Sequence, residues 1–350
     1  MSNYKGKNLN IEIFGGSHDD HIGAKVYGLP KFDYNYEKLG RFMLRRKPKS
    51  DASTSRKESD ELLIEKLDDG ATKITIKNTD VKRSDYDKLY GKPRPSHADY
   101  CTYIKDGTLD FSGGGRFSGR MTAALCAVGG LCLQYLESKG IRIAAYLYGA
   151  GGVYGDGYRH GDLTTFDIEN RRGDIIPSLS NNQDIFRKIE QAKNDDDSVG
   201  GAVDCVIEGK VAGLGDCIFD GLESKLSALM FAIPAVKAVE FGAGTALSEM
   251  TGSAANDQMS YEDGKVVFAS NNSGGIYGGI ASGNRITMSV TFKPTPSIKK
   301  AQNTVDLVSG KNCVISVDGR HDACVAIRAV PVVESMAAIG VLDEWLSENG

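Results

Sequence analysis

The stretch SGRMTAALCAVGGLCLQYLESKG, residues 118–140, decides the architecture. Alanine and leucine dominate it and Gly140 supplies a stop, so the composition predicts a helix over residues 118–139. Leu125, Val128, Leu131, Cys132 and Leu136 spread over most of its faces instead of one stripe. A helix that is apolar nearly all round is a buried one, and this one is expected at the centre of the protein.

Working outward toward the N-terminus, residues 71–78 (ATKITIKN) alternate like a half-buried strand, and residues 36–46 read as a helix whose basic end precedes Pro48. Residues 10–14 (NIEIF) form a strand that leads into the loop Gly15-Gly16-Ser17-His18. On the other side, residues 221–231 read as a helix with Asp220 as N-cap and Glu223 three positions on, a capping-box-like start. Residues 235–241 and 285–292 (RITMSVTF) are strand-like, and residues 331–347 read as a final amphipathic helix with Pro331 at its first position. Residues 149–194 are loop-rich and read as an insertion. Strands and helices do not alternate in a βαβ rhythm, and neither a repeat nor a linker divides the chain, so the expected class is α+β, one domain over residues 1–350.

Composition narrows the functions. A net charge of -4 and a pI near 5.8 argue against a nucleic-acid binder, so anionic ligands must be met by local basic sites. The seven cysteines are odd in number, lack a CxxC pair and mostly sit in apolar runs, as reduced cytosolic thiols do. No signal peptide or membrane span is legible, and the cytoplasm is the expected compartment. Glycine, at 42 of 350 residues, exceeds the usual share of about 7% and is expected in turns and close backbone approaches.

Several polar loops could carry chemistry. Gly113-Gly114-Gly115-Arg116-Phe117-Ser118-Gly119-Arg120 sits where the buried helix begins, and amides at a helix start with two arginines suit an anion. It reads as readily as a glycine-rich turn with solvated arginines. Arg45-Arg46-Lys47 with Arg56 could hold phosphate or carboxylate, or simply compensate a helix C-terminus. His18 and His97 lie in GGSHDDH and RPSHADY, contexts that suit proton donors as well as exposed turns. The run His18-Asp19-Asp20-His21 reads as a solvated turn and not as a metal site. Gly319-Arg320-His321-Asp322 combines a fork donor, an imidazole and a carboxylate. The pairs Gly274-Gly275 and Gly278-Gly279, with Lys293-Pro294-Thr295-Pro296-Ser297 following, could cradle a phosphate or form tight turns.

Taken in order, GGSH, RRKP, TSRKESD, NTDVKRSDY, RPSHADY, SGGGRFSGRMTA, DSVGGAV, GLGDCIFD, AVKAVEFGAG, NNSGGIYGGIASG, KPTPSI and GRHDACVAIRAVPVVESM resemble the blocks of the chorismate synthases, from about Asn10 to Trp345. The resemblance implies a single-domain β-α-β sandwich, antiparallel sheets enclosing a helical layer, and a homotetramer. It implies conversion of 5-enolpyruvylshikimate 3-phosphate to chorismate by trans-1,4-elimination of phosphate, with reduced FMN required and no net oxidation. By the same resemblance His18, His97 and Asp322 are catalytic. Arg116, Ser118, Ala235, Gly278, Lys293, Thr295, Ser297 and Arg320 hold the flavin, while Arg45, Arg46, Arg120 and again Arg320 clamp the substrate. The family pattern differs at Gly16, Asp19 and Met121, and a carboxylate displaced from before His18 to after it is expected to alter that histidine's titration. The chain is short and has no recognisable nicotinamide-binding segment, which favours an external flavin reductase over self-reduction with NADPH. Two other readings share the flavin site: a homologue acting on another phosphorylated cyclic acid, and a flavin-binding protein without elimination activity.

Overall fold

Alternating apolar residues near the N-terminus give a five-stranded antiparallel sheet. It comprises β1 (Ser2–Lys5), β2 (Asn10–Gly15), β3 (His21–Tyr27), β4 (Leu62–Lys66) and β5 (Thr72–Lys77), ordered β1-β2-β3-β5-β4. The register places Ile22 opposite Ile76 and Ala24 opposite Ile74, all fully buried, so one face is apolar. The computed structural model describes residues 2–47, 58–79, 89–111, 113–158, 163–317 and 322–349.

A second five-stranded antiparallel sheet begins with β6 (Ile141–Ala150), β7 (Val153–Tyr154), β8 (Gly201–Gly209) and β9 (Val236–Phe241). Two hairpins follow, β10 (Met259–Glu262) with β11 (Lys265–Phe268) and β12 (Ile276–Tyr277) with β13 (Ile280–Ala281). Then β14 (Ile286–Phe292) completes the order β7-β6-β8-β14-β9, and β15 (Gln302–Asp306) pairs with β16 (Lys311–Ile315). The helices are α1 (Tyr36–Leu44), α2 (Asp99–Asp106), α3 (Thr122–Ser138), α4 (Thr165–Arg171), α5 (Asn182–Asn194), α6 (Leu222–Phe231), the single turn α7 (Gly252–Ala255) and α8 (Ala326–Asn349).

The helix expected over residues 118–139 is α3, beginning four residues later. Ser118 accepts a hydrogen bond from the Arg120 amide, and residues 119–121 form a 3₁₀ turn before the α-helix starts. As its composition requires, α3 is buried along most of its length; it touches β3 and β5 of the first sheet, β6 of the second, and α8. Gly129 and Gly130 permit this crowding. A β-carbon on Gly129 would lie 2.3 Å from Ser335 Cβ and 2.7 Å from the Ser335 carbonyl on α8, and one on Gly130 would lie 2.4 Å from Leu39 on α1.

Three expectations need correction. The final helix begins at Ala326, so Pro331 sits inside it and not at its start; Ser335 donates its hydroxyl to the Pro331 carbonyl at 2.7 Å. Asp220 does not cap α6, because its carboxylate turns instead to Lys225 at 3.0 Å and Lys7 at 3.4 Å. Residues 149–194 contain α4 and α5, and Leu163, Ile168 and Leu179 there bury Ala144, Tyr146 and Val206 on the outer face of the second sheet. That segment is a cover for the sheet.

No helix among the described residues is long and apolar enough to cross a membrane. Because Gly129 faces backbone and not a flexible tip, Gly129→Ala should destabilise the protein by about 1–3 kcal/mol. Urea unfolding will read this as a lower midpoint; an unchanged midpoint would contradict the contact between α3 and α8.

Candidate active site

Five segments converge on a cavity of about 910 Å³. They are the turn before α2, the glycine-rich loop that runs into α3, the link from Phe231 at the end of α6 to Lys237 in β9, the extension of β14 through Lys293 to Ser297, and the start of α8 from Asp322. First-turn residues of both α3 and α8 line it, Thr122 on one and Ala329 on the other, while Gly129 and Ser335 meet further along. The two helices therefore run away from the cavity side by side, with both positive dipole ends toward it. Of the seven non-glycine residues with positive φ among the described residues, Ser96 (φ 59°) and Ala235 (φ 74°) line the cavity and Asp60 (φ 52°) holds two arginines beside it. Such strain persists only where the surroundings over-determine it.

His97 lines the cavity and is anchored from behind. Its Nδ1 lies 2.5 Å from Asp99 Oδ1, and Asp99 in turn is gripped by Arg94, with Nε to Oδ2 at 2.7 Å and Nη2 to Oδ1 at 2.8 Å. Burial alone would raise the Asp99 carboxyl, but the hydrogen bonds from Arg94 and His97 outweigh it and bring it down to about 2. Across the cavity Lys293 donates to the Ser96 carbonyl. Burial, with Lys237 nearby, holds its ammonium below the ordinary lysine value.

The arginines divide sharply. Arg46 is 2% exposed; Nη1 donates to Asp60 Oδ2 at 3.1 Å and Nη2 to Thr122 Oγ1 at 2.8 Å, while Nε has no hydrogen-bond partner among the described residues. Burial lowers its affinity for its proton. Arg120, also buried, donates to the other Asp60 oxygen, to Asn78 Oδ1 at 2.9 Å and to the Lys77 carbonyl at 3.2 Å; it stands beside the cavity and not on its wall. Arg45 points away altogether, into Glu334, which also binds Arg172 at 2.7 Å and the Ala145 amide at 2.8 Å. Burial would raise the Glu334 carboxyl, yet the two guanidinium groups hold it below its ordinary value.

Of the residues singled out by sequence, the cavity gathers Arg46, His97, Arg116, Ser118, Ala235, Lys293, Thr295, Ser297 and Asp322. Asp322 accepts from Arg328 Nη1 at 2.9 Å. His18 lies one layer back: its Nδ1 meets Ser17 Oγ at 2.9 Å, and its ring packs on Gly113, where a β-carbon would come within 1.9 Å. Gly278 is not brought to the cavity and belongs to the tight β12–β13 turn with φ 62°. Arg320 lies outside the described residues. Sequence reasoning gave no role to Arg94, Asp99 or Arg328, although all three stand inside the blocks RPSHADY and GRHDACVAIRAVPVVESM.

The Asp99 clamp has a measurable consequence. A carboxyl held at about 2 when folded and near 3.8 when unfolded stabilises the fold above pH 4, and that contribution is lost as pH falls toward 2. The stability difference between wild type and Asp99→Asn, from urea unfolding, should therefore narrow by about 1 kcal/mol between pH 5 and pH 3. A constant difference would show that Asp99 is not held ionised.

Comparison with known proteins agrees with these blocks. Residues 9–346 match the family model described as chorismate synthase. Proteins named chorismate synthase from Korarchaeum cryptofilum, Thermococcus kodakarensis and Porphyromonas gingivalis are 39%, 37% and 41% identical, covering 97–98% of this chain and 95–97% of their own. A crystal structure of chorismate synthase superposes with a TM-score of 0.78 over 99% of this chain and 94% of its own; at 22% identity it speaks for the fold. With antiparallel sheets, a central buried helix and this full-length match, the chain belongs to the chorismate synthase family.

Proposed function

We propose that this chain removes phosphate from 5-enolpyruvylshikimate 3-phosphate by trans-1,4-elimination to give chorismate, requiring reduced FMN without net redox change. The observation that carries the reading is the cavity between the N-terminal ends of α3 and α8, whose wall brings the cations Arg46, Arg116 and Lys293 together with His97. Guanidinium forks at a helix start suit a phosphate or carboxylate. At about 910 Å³ the cavity stands near the top of the range for small-molecule sites, enough for a flavin beside its substrate.

The lining residues fit reduced FMN. Arg116, Ser118, Lys293, Thr295, Ser297 and the Ala235 backbone would hold it, joined by Arg320. When bound, reduced FMN supplies the electron density that the elimination needs, since the departing hydrogen has no neighbouring carbonyl to acidify it. Arg46, assisted by Arg120 behind it and by the helix ends, would bind the substrate's phosphate and carboxylates. Charge neutralisation there makes phosphate a better leaving group. His97 would hold an unprotonated Nε2 toward the flavin site, where its ability to take up a proton favours the anionic reduced form. Asp322 offers a carboxylate oxygen that assists proton removal from the substrate, and His18, one layer behind the glycine loop, would supply the departing phosphate's proton through a bridging water.

The same reading takes residues 1–350 as one domain, with α3 and α8 as the filling of a β-α-β sandwich. It assigns the chain to the cytoplasm, as a homotetramer, with reducing equivalents from an external flavin reductase. The exposed apolar side chains of Phe219, Tyr261 and Met259, at 91%, 77% and 65%, offer surface for self-association.

Anaerobic incubation with 5-enolpyruvylshikimate 3-phosphate and chemically reduced FMN should yield chorismate. Absence of product at high enzyme concentration, with flavin bound, would overturn the reading and favour a different phosphorylated cyclic acid or a non-catalytic flavin protein. His97→Ala should slow turnover by roughly 10²-fold or more, and near-normal turnover would remove it from the machinery.

A further inference from the structure

Asp99 is 4% exposed and opens α2, and both of its oxygens are engaged. Oδ2 accepts from Arg94 Nε at 2.7 Å and from the Arg94 main-chain N–H at 2.9 Å. Oδ1 accepts from Arg94 Nη2 at 2.8 Å and stands 2.5 Å from His97 Nδ1. Arg94 Nη2 is also 3.2 Å from Nδ1, but a guanidinium cannot accept a proton, so only the shared carboxylate oxygen can satisfy a donor on Nδ1. Arg94 is itself fixed, donating to the Gly113 carbonyl at 2.7 Å and to Ser297 Oγ at 3.3 Å. One guanidinium thus ties the histidine's turn to the glycine loop and to the Lys293–Ser297 segment. With Arg94 balancing its charge, the carboxylate contributes direction more than net charge.

We propose that Asp99, clamped by Arg94, is a positioning residue for His97 that holds the imidazole as the Nδ1–H tautomer and leaves Nε2 for the cavity. The catalytic importance of that tautomer rests on the elimination reading, whereas the tautomer itself is a property of the protein without ligand.

Asp99→Asn reverses the polarity of one oxygen. Arg94 Nε and its main-chain N–H both aim at the Oδ2 position, so the amide oxygen must go there and the amide NH₂ must face Nδ1. The ring proton then moves to Nε2, the wrong-tautomer effect of an Asp-to-Asn change behind a histidine. Nitrogen NMR of histidine-labelled protein without flavin, at a pH where the ring is neutral, reads this directly. Expected are an Nδ1–H pattern for His97 in wild type and an Nε2–H pattern in Asp99→Asn. With these go a kcat lower by roughly 10²-fold and no additional loss when Asp99→Asn is placed on His97→Ala. An Nε2–H pattern in wild type, or the same tautomer in both proteins, overturns the proposal whatever the activity. If Asp99→Asn does not fold, the wild-type spectrum decides alone. A tautomer switch in a protein that forms no chorismate supports the role of Asp99 and counts against the elimination reading instead.

Discussion

The rest of the site depends on the contact between Gly129 and Ser335. Because Gly129 brings no side chain to that contact, two long buried helices lie close against each other and run in one direction from a common end. That end is the cavity. Two positive dipole ends therefore face one volume, before any charged side chain is counted. The sheets press on this pair through α3 against the first sheet and α8 against β6 and β8 of the second, so the helix ends have little freedom to drift.

Charge is then added under strict compensation. Burying ions without partners costs several kcal/mol each, and the structure meets this by sharing each carboxylate between two donor side chains: Asp60 between Arg46 and Arg120, Glu334 between Arg45 and Arg172, Asp99 between Arg94 and His97. Each shared carboxylate fixes the direction of two side chains at once. Arg46 differs in that its Nε has no partner among the described residues. The strained backbone at Asp60, Ser96 and Ala235 surrounds the same place.

Local physics made much of this legible from sequence. The alanine- and leucine-rich composition of α3 announced its burial, and two-residue alternation marked β2 and β5. The helix α5 was missed although Ile185, Ile189 and Ala192 carry a helical spacing, because the polar residues around them read as loop. Pro331 misplaced the start of α8, since a proline tolerated inside a buried helix looks the same in sequence as one at its first position. The site was legible as blocks but not as directions. Arg45 and Arg46 are neighbours in the chain, yet one reaches Glu334, 289 residues away, and the other lines the cavity. Pairing over such separations has no local signature. Nor did the histidine in RPSHADY reveal that Arg94 and Asp99, three before and two after it, close on each other behind the ring.

The central claim is that the volume between the starts of α3 and α8 is where flavin and anionic substrate meet. A crystal structure of the protein with FMN and 5-enolpyruvylshikimate 3-phosphate tests it most directly. The account predicts flavin in the cavity beside His97 and Lys293, with a substrate phosphate or carboxylate oxygen on the side of Arg46. Flavin bound elsewhere, for instance in the adjoining apolar cavity of about 340 Å³ lined by Tyr4, Ile13 and Met121, with no anion beside Arg46, would contradict it.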